Sequence, residues 1–312
     1  MGGRDLRSPF LSVYGHITTD HIMSVDEFPA ENTSVNALSK DIHVGGTGTN
    51  IAVIASALGV PTALCGFVGK DFPKGFTKFI RSKKVIMNEF VVQERYYTAQ
   101  AMIINDSKKE QRALFYQGPQ GSASTLNNVL KKNAGKSKYV HFSTGEPDYY
   151  LNIMSSIKGN ERNISFDPAQ EIHKIWNKEK FTKALGMSDM LFCNKYEAVS
   201  AVKYSSVNGV SEIDAKMVVC TKGPEGSELY VNGKRTDIPV IDAKRTVDAT
   251  GAGDAYRAGF YAGKYNKYSD VDALVIGAAA ASFVVEEMGA LSNIPTWDMA
   301  LERADRYLGK IG

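Results

Sequence analysis

The 312-residue chain sets 37 Lys and Arg against 34 Asp and Glu, a net charge of +3, with 43% hydrophobic and 23% charged residues. That balance excludes a disordered polymer, a collagen-like repeat and a small disulfide-stapled scaffold, and it lacks the strongly basic character expected of a nucleic-acid-binding domain. Its three cysteines, Cys65, Cys193 and Cys220, lie in or at the end of apolar runs without CxxC spacing, so they read as reduced core thiols of a cytoplasmic protein rather than zinc ligands.

Residues 1–8 read as a loose tail, without the apolar stretch of a signal peptide. FLSVY (10–14) has a strand pattern, and GHITTDHIMSV after it is of mixed polarity. GGTGTN (45–50) opens a helix through IAVIASALGV, stopped by Gly59. TALCGFVG (62–69) is the next strand and DFPKGFTKFIRSKK the next helix. Residues 91–117 have no helix between their two apolar arms, VVQERYYTAQAMIIND and EQRALFYQG, and predict a β-hairpin around DSKK. Strand–helix alternation then resumes, with strands at 138–143, 163–167, 189–194 and 216–221 and helices at 147–158, 170–186 and 194–201. A second hairpin turns at Asn232-Gly233, and helices at 251–264, 270–288 and 295–309 close the chain. Within these, Ala273–Val285 is an apolar stretch of about 13 residues, short of the roughly 20 that span a membrane, and it reads as a buried helix. Short apolar strands alternating with helices predict an α/β fold: a mainly parallel sheet covered on both faces, with a small antiparallel piece at one edge. In such sheets ligands bind beyond the C-terminal strand ends, where the polar and glycine-rich motifs would converge.

Several motifs fail on inspection. Gly46-Thr-Gly48-Thr-Asn50-Ile51 starts like a dinucleotide fingerprint, but Ile51 replaces the third glycine and no clean strand precedes Gly45. GFVGKDF has Asp71 where a phosphate-binding loop needs Ser or Thr, and there is no GxSxG or HExxH.

Asp248-Ala-Thr250-Gly251-Ala252-Gly253-Asp254 carries chemistry. Small residues at a helix start leave backbone N–H groups uncovered, a ready anion site. Asp254 in the first turn can take a proton from a hydroxyl attacking phosphorus. Donors for developing charge and a base thus lie within one segment, as phosphoryl transfer needs. A plain helix start with a favourable first-turn acid is the alternative.

With GGTGTN and DATGAGD in order, the chain resembles the ribokinase-like, phosphofructokinase-B type sugar and nucleoside kinases over roughly residues 10–300. The resemblance implies a three-layer α/β/α fold in one domain (9–312) with a β lid from about 15–44 and 91–119. It makes Asp254 the catalytic base and Gly251, Ala252 and Gly253 the anion hole. Gly45, Gly46 and Asn50 match the acceptor pocket; Asn50 is equally readable as a helix cap. Asn194 and Glu197 form an NxxE motif that in this family organises hydrated magnesium, Glu197 acting through water; an exposed polar pair is the alternative. Thr221, Lys222, Gly223 and Gly226 resemble the nucleotide loop, Lys222 being also readable as a solvated lysine. Gly289 and Ala290 would lie beside the adenine of ATP. Asp248 and Ser292 correspond to a monovalent-cation site, with potassium activation as the expectation. Asp20 matches the acidic position that holds a vicinal diol. The pattern GHxxxD (His16 to Asp20), with FDPAQ (166–170), resembles archaeal-type nucleoside kinases, and Gln170 can reach a base or sugar edge. Lid aromatics Tyr96, Tyr97, Phe115 and Tyr116 stack on a nucleobase or simply pack one sheet face. The implied activity is ATP-dependent transfer to a primary hydroxyl of a ribose-containing small molecule, a nucleoside first. A free-sugar kinase and a catalytically silent sensor are the alternatives. Partners are a small-molecule acceptor, no nucleic acid, no membrane, and a second copy paired through the lid.

Overall fold

The structure is a computed structural model that describes residues 8–108, 110–159 and 161–311; residues 1–7 of the expected tail lie outside it. In chain order the elements begin with β1 (Leu11–Tyr14), β2 (Thr18–Val25), β3 (Ala37–Gly45), α1 (Thr47–Ala57), β4 (Thr62–Gly69) and α2 (Lys74–Ser82). Next come β5 (Ile86–Gln93), β6 (Ala99–Asn105), β7 (Gln111–Tyr116), β8 (Tyr139–Phe142), α3 (Pro147–Ile157) and β9 (Asn163–Phe166). The C-terminal part holds α4 (Lys178–Leu185), β10 (Met190–Asn194), α5 (Lys195–Ser205), β11 (Met217–Thr221), β12 (Ser227–Val231) and β13 (Lys234–Ile238), then α6 (Ala252–Tyr265), α7 (Asp270–Val284) and α8 (Trp297–Ala304).

A nine-stranded sheet has the order β13-β12-β11-β10-β9-β8-β1-β4-β5. Its pairs from β11 to β5 are parallel, and the β12–β13 hairpin adds an antiparallel edge. Alternate strand residues enter opposite layers, as the period of two requires. Leu11 and Val13 pack with α1, α6 and α7, whereas Tyr14 packs with α3 and α4 residues such as Tyr150 and Phe181. That is the expected α/β/α arrangement of a mainly parallel sheet. All three cysteines are buried and free. Among the described residues no helix is long and apolar enough to cross a membrane.

A second sheet of four strands, β3-β2-β6-β7, stands apart. The β2–β3 and β6–β7 pairs are antiparallel, and β2–β6 is parallel. Four expectations need correction here. Residues 91–93 end β5 at the edge of the large sheet, so the first hairpin arm is only β6; a turn closed by Tyr96 N–H on the Gln93 carbonyl separates the two. The residues before Gly45 do form a strand, β3, but its positions 37–43 are all exposed, so no apolar alternation marks it. The helix expected at 170–186 is broken. A 3-10 turn, Ala169–His173, follows Pro168, and α4 starts afresh at Asn177, whose side chain accepts the Lys180 N–H at 2.9 Å. Likewise α7 ends at Val284, because the Val285 carbonyl turns to receive Val247 N–H at 2.8 Å.

Candidate functional site

The entry to α6 is built by backbone constraint. Gly251 is its N-cap at φ 77°, ψ 0°, with no side chain capping the first turn. Only glycine adopts that conformation without strain, and a Cβ there would lie 2.2 Å from the Ala290 Cβ. No side chain caps the first turn; the Ala252 N–H donates to the Ala249 carbonyl at 3.2 Å, and the other first-turn N–H groups lie at the positive end of the helix dipole. Asp248 ties this entry to the late loop: Oδ1 accepts Thr250 N–H at 2.9 Å and Oδ2 accepts Gly289 N–H at 2.8 Å. Burial would raise the Asp248 carboxyl, but these N–H donors outweigh it and hold it below its ordinary value. Gly289, Ala290 and Ser292 line a cleft of about 280 Å³ together with Ile42 and His43 of β3 and Phe79 of α2.

The acceptor-side motif meets the same place. Gly46, at φ 88°, caps α1, and its carbonyl accepts Asn50 N–H at 2.9 Å. Asn50 is thus inside α1, not its beginning, and its side chain is free of capping duty. Its Nδ2 donates instead to Asp254 Oδ2 at 2.8 Å, joining motifs 204 residues apart. Asp20 on β2 accepts Thr18 Oγ1 at 2.6 Å, and burial raises its carboxyl. A Cβ on Gly45 would sit 2.1 Å from Asp20 Oδ2, so the strand carries glycine where the carboxylate passes. Burial also raises Asp254, to about 7, against the opposing pull of Asn50 and Arg257; Asp167 and Asp20 add to the rise.

At the neighbouring strand ends, Asn194 of β10 is in register with Thr221 of β11. Asn194 and Glu197 do not merely share a helix face: they form a capping box. The Asn194 side chain accepts Tyr196 and Glu197 N–H, and Glu197 accepts Asn194 N–H on Oε2 and Nδ2 on Oε1, both at 2.8 Å. Glu197 is buried, not exposed, and burial raises its carboxyl. Thr221 opens the loop through Gly223 and Gly226, where the Gly226 φ of 85° turns the chain into β12. Lys222 is half-buried and pairs with buried Glu228.

Gln170 is exposed on the turn after β9. Its neighbour Glu171 points inward instead, accepting Gln117 Nε2 at 3.0 Å and Gly145 N–H at 2.6 Å, 3.8 Å from His16. Phe115 of β7 packs edge-on to the His16 ring at 5.2 Å, while Tyr97 and Tyr116 are exposed.

Sequence reasoning missed two buried charges. Arg257, one turn beyond Asp254 on α6, is 5% exposed and Asp167, just past β9, is 2% exposed. Arg257 Nε donates to Asp167 Oδ2 at 2.7 Å, Nη2 to Oδ1 at 3.3 Å and Nη1 to the Gly253 carbonyl at 3.3 Å. The signal was present: a lone arginine in AYRAGFYAG, a run otherwise small, aromatic or apolar, demands a buried partner.

Comparison with known proteins agrees with this architecture. The family model for pfkB family carbohydrate kinases matches residues 8–297. A nucleoside kinase of Methanocaldococcus jannaschii is 33% identical over 311 residues, covering 98% of this chain and 99% of that protein. The crystal structure of a Methanocaldococcus jannaschii nucleoside kinase, described as an archaeal member of the ribokinase family, superposes with a TM-score of 0.89 over 96% of this chain and 99% of its own. A Burkholderia thailandensis nucleoside kinase in complex with inosine shares the fold at 20% identity, with a TM-score of 0.85 over 96% and 99% of the two chains. The chain belongs to the pfkB family of carbohydrate kinases and is a phosphotransferase acting on a hydroxyl group.

Proposed function

We propose that the protein transfers the γ-phosphate of ATP to the primary hydroxyl of a nucleoside, with Asp254 as general base and residues 251–253 as the anion hole. The observation that carries this reading is the 2.8 Å bond from Asn50 Nδ2 to Asp254 Oδ2 at the uncapped start of α6. It joins the acceptor motif, through Gly45 and Asp20, to a helix N-terminus suited to phosphate. Asp20 accepts the vicinal hydroxyls of the ribose, an ionised carboxylate being the strongest acceptor for a diol. Asp254, ionised above about pH 7, takes the proton of the attacking hydroxyl while the first-turn N–H groups receive the charge on the transferring phosphate.

Magnesium fits the donor set. Each Glu197 oxygen accepts one hydrogen bond from Asn194 and retains further accepting capacity for the waters of a hydrated ion. Bound there, the ion would offset phosphate charge. Each Asp248 oxygen accepts one backbone N–H and keeps accepting capacity, so a potassium ion there would be held by Asp248 with neighbouring carbonyls and Ser292; no step is routed through one. The four-stranded sheet is the lid: β7 is wholly exposed and brings Phe115 to His16, leaving an aromatic face for a base. Its exposed Leu38 and Leu114 are the apolar surface for pairing with a second copy.

Two measurements test the acceptor. Adenosine, inosine, guanosine, cytidine, ribose and fructose are each incubated with ATP and magnesium, and ADP release is scored. Nucleosides should win over free sugars; a sugar-only response would reassign the acceptor. Asp20→Asn, which removes a charged acceptor for two hydroxyls, should raise the acceptor KM by about 10–100-fold with a much smaller change in the KM for ATP. Equal loss on both substrates would place Asp20 elsewhere.

A further inference from the structure

Asp254 does not ionise alone. Four carboxylates gather about the start of α6: Asp254 itself, Asp20 from β2, Asp167 beyond β9 and Glu197 of α5, each acting electrostatically on a neighbour in the group. One buried cation, Arg257, faces three of them, Asp167, Glu197 and Asp254. Its guanidinium is fixed on every side. Asp167 takes Nε and Nη2, the Gly253 carbonyl takes Nη1, and the Phe192 ring of β10 lies 5.4 Å from its centre. Beside Asp167, His141 of β8 places Nε2 3.4 Å from Oδ2; the other ring nitrogen bonds the Tyr261 hydroxyl of α6 at 2.8 Å. Burial keeps His141 neutral, its proton affinity lowered, so it adds no second cation. The remaining titratable groups that face Arg257, the Cys193 thiol and the Tyr256 and Tyr261 phenols, are all raised.

We propose that Arg257, clamped by Asp167, is a positioning residue: it grips the first turn of α6 through the Gly253 carbonyl and serves as the shared counter-charge that lets Asp254 work as a base beside Asp20, Asp167 and Glu197. The proposal rests on the reading of Asp254 as the base. An ion pair buried this deeply is a weak means of stabilisation by itself, because desolvation offsets attraction. A placement one turn from the base, with a hydrogen bond into the anion-hole backbone, gives the pair a functional reason to exist. The sign is set by charge. Arg257 favours ionised Asp254, whereas Asp167 disfavours it. Deleting either partner therefore moves Asp254 in opposite directions, which mere structural damage does not do.

The test compares Arg257→Met, Arg257→Lys and Asp167→Asn with the unaltered protein. The first readout is a carboxyl ¹³C NMR titration of ligand-free protein, with Asp254 assigned through Asp254→Asn. The second is the acid limb of kcat/KM, using ATP, magnesium and whichever of adenosine, inosine, guanosine, cytidine or ribose gives the most ADP. Arg257→Met should move both the titration and the limb up by about one pH unit or more, the usual scale for losing an opposite charge. Asp167→Asn should move both down, and Arg257→Lys should restore the limb toward that of the unaltered protein. A limb and a titration unmoved in Asp167→Asn, or moved the same way in both partners' variants, overturns the proposal. Should Arg257→Met fail to fold, Asp167→Asn and Arg257→Lys decide alone. If the titration shifts as stated while the limb stays and Asp254→Asn still turns over, the electrostatic pairing stands and the base assignment is what falls.

Discussion

Asp254→Asn should lower kcat by about 10²–10⁴-fold, the usual worth of a positioned general base, with acceptor and ATP binding changed only a few-fold. Asparagine keeps the shape and can still accept the Asn50 Nδ2 hydrogen bond, so the substitution removes the base without dismantling the junction of α1 and α6. A stability measurement separates chemistry from folding. The Asp254 carboxyl is raised to about 7 by burial, well above its value in an unfolded chain. A group raised on folding favours the native state while it is protonated and loses that contribution as pH rises through its folded value. At pH 8 the unaltered protein carries this unfavourable buried charge and the variant does not. The thermal midpoint of Asp254→Asn at pH 8 should therefore equal or exceed that of the unaltered protein, and the advantage should shrink toward pH 4. Near-normal turnover would remove Asp254 from the base role.

Gly251→Ala is the second large effect. The new Cβ is placed in a left-handed conformation, which costs an L-residue about 1–2 kcal/mol. It also falls 2.2 Å from the Ala290 Cβ and 2.9 Å from the Ala290 Cα. Backbone and a short side chain cannot swing aside, so the loop held to Asp248 through Gly289 has to move. The expected result is a thermal midpoint lower by several degrees, a raised KM for ATP and a fall in kcat. Gly253→Ala is the matched comparison: its Cβ meets only Arg257 Nη1, at 3.2 Å, a contact a few tenths of an ångström too tight against a clamped guanidinium and not a backbone clash. It should lose less stability than Gly251→Ala. Equal behaviour of the two variants would mean that the Gly251 geometry is not what shapes the anion hole.

The parts of the fold that were readable in advance are those where one physical signal dominates. TALCGFVG coincides with β4 because a strand buried on both faces must be apolar throughout. The Asn232-Gly233 turn lies where the β12–β13 hairpin turns, both residues having positive φ. The strand β3 was unreadable because a lid strand with seven exposed positions has no core to face and so no period. The break before α4 depends on Pro168, on Ala169 at φ 47° and on the Asn177 cap, weak local signals set against an otherwise helix-compatible stretch.

The site divides in the same way. Glycines 45, 46, 251, 289 and aspartates 20, 248 and 254 were identifiable as motif residues, and the fold sets Gly45 against Asp20 and Gly289 against Asp248. Their tertiary partners were not. That Asn50 reaches Asp254, or that Glu197 faces Arg257, depends on contacts between distant segments. N-x-x-E at a strand-to-helix junction is also a cap signature, and Asn194 and Glu197 fulfil it. Arg257 and Asp167 show the limit most plainly: the run around Arg257 signals a buried arginine, but only the fold reveals its partner, 90 residues away.

The account is tested most directly by following the phosphorus itself. ATP and magnesium are mixed with the best nucleoside acceptor, and the products are resolved by ³¹P NMR. The expected result is stoichiometric ADP and a single new phosphomonoester on the 5′ oxygen, formed about 10²–10⁴-fold more slowly by Asp254→Asn. Tight nucleoside binding with ATP left intact, or a phosphate on any other hydroxyl, would contradict it.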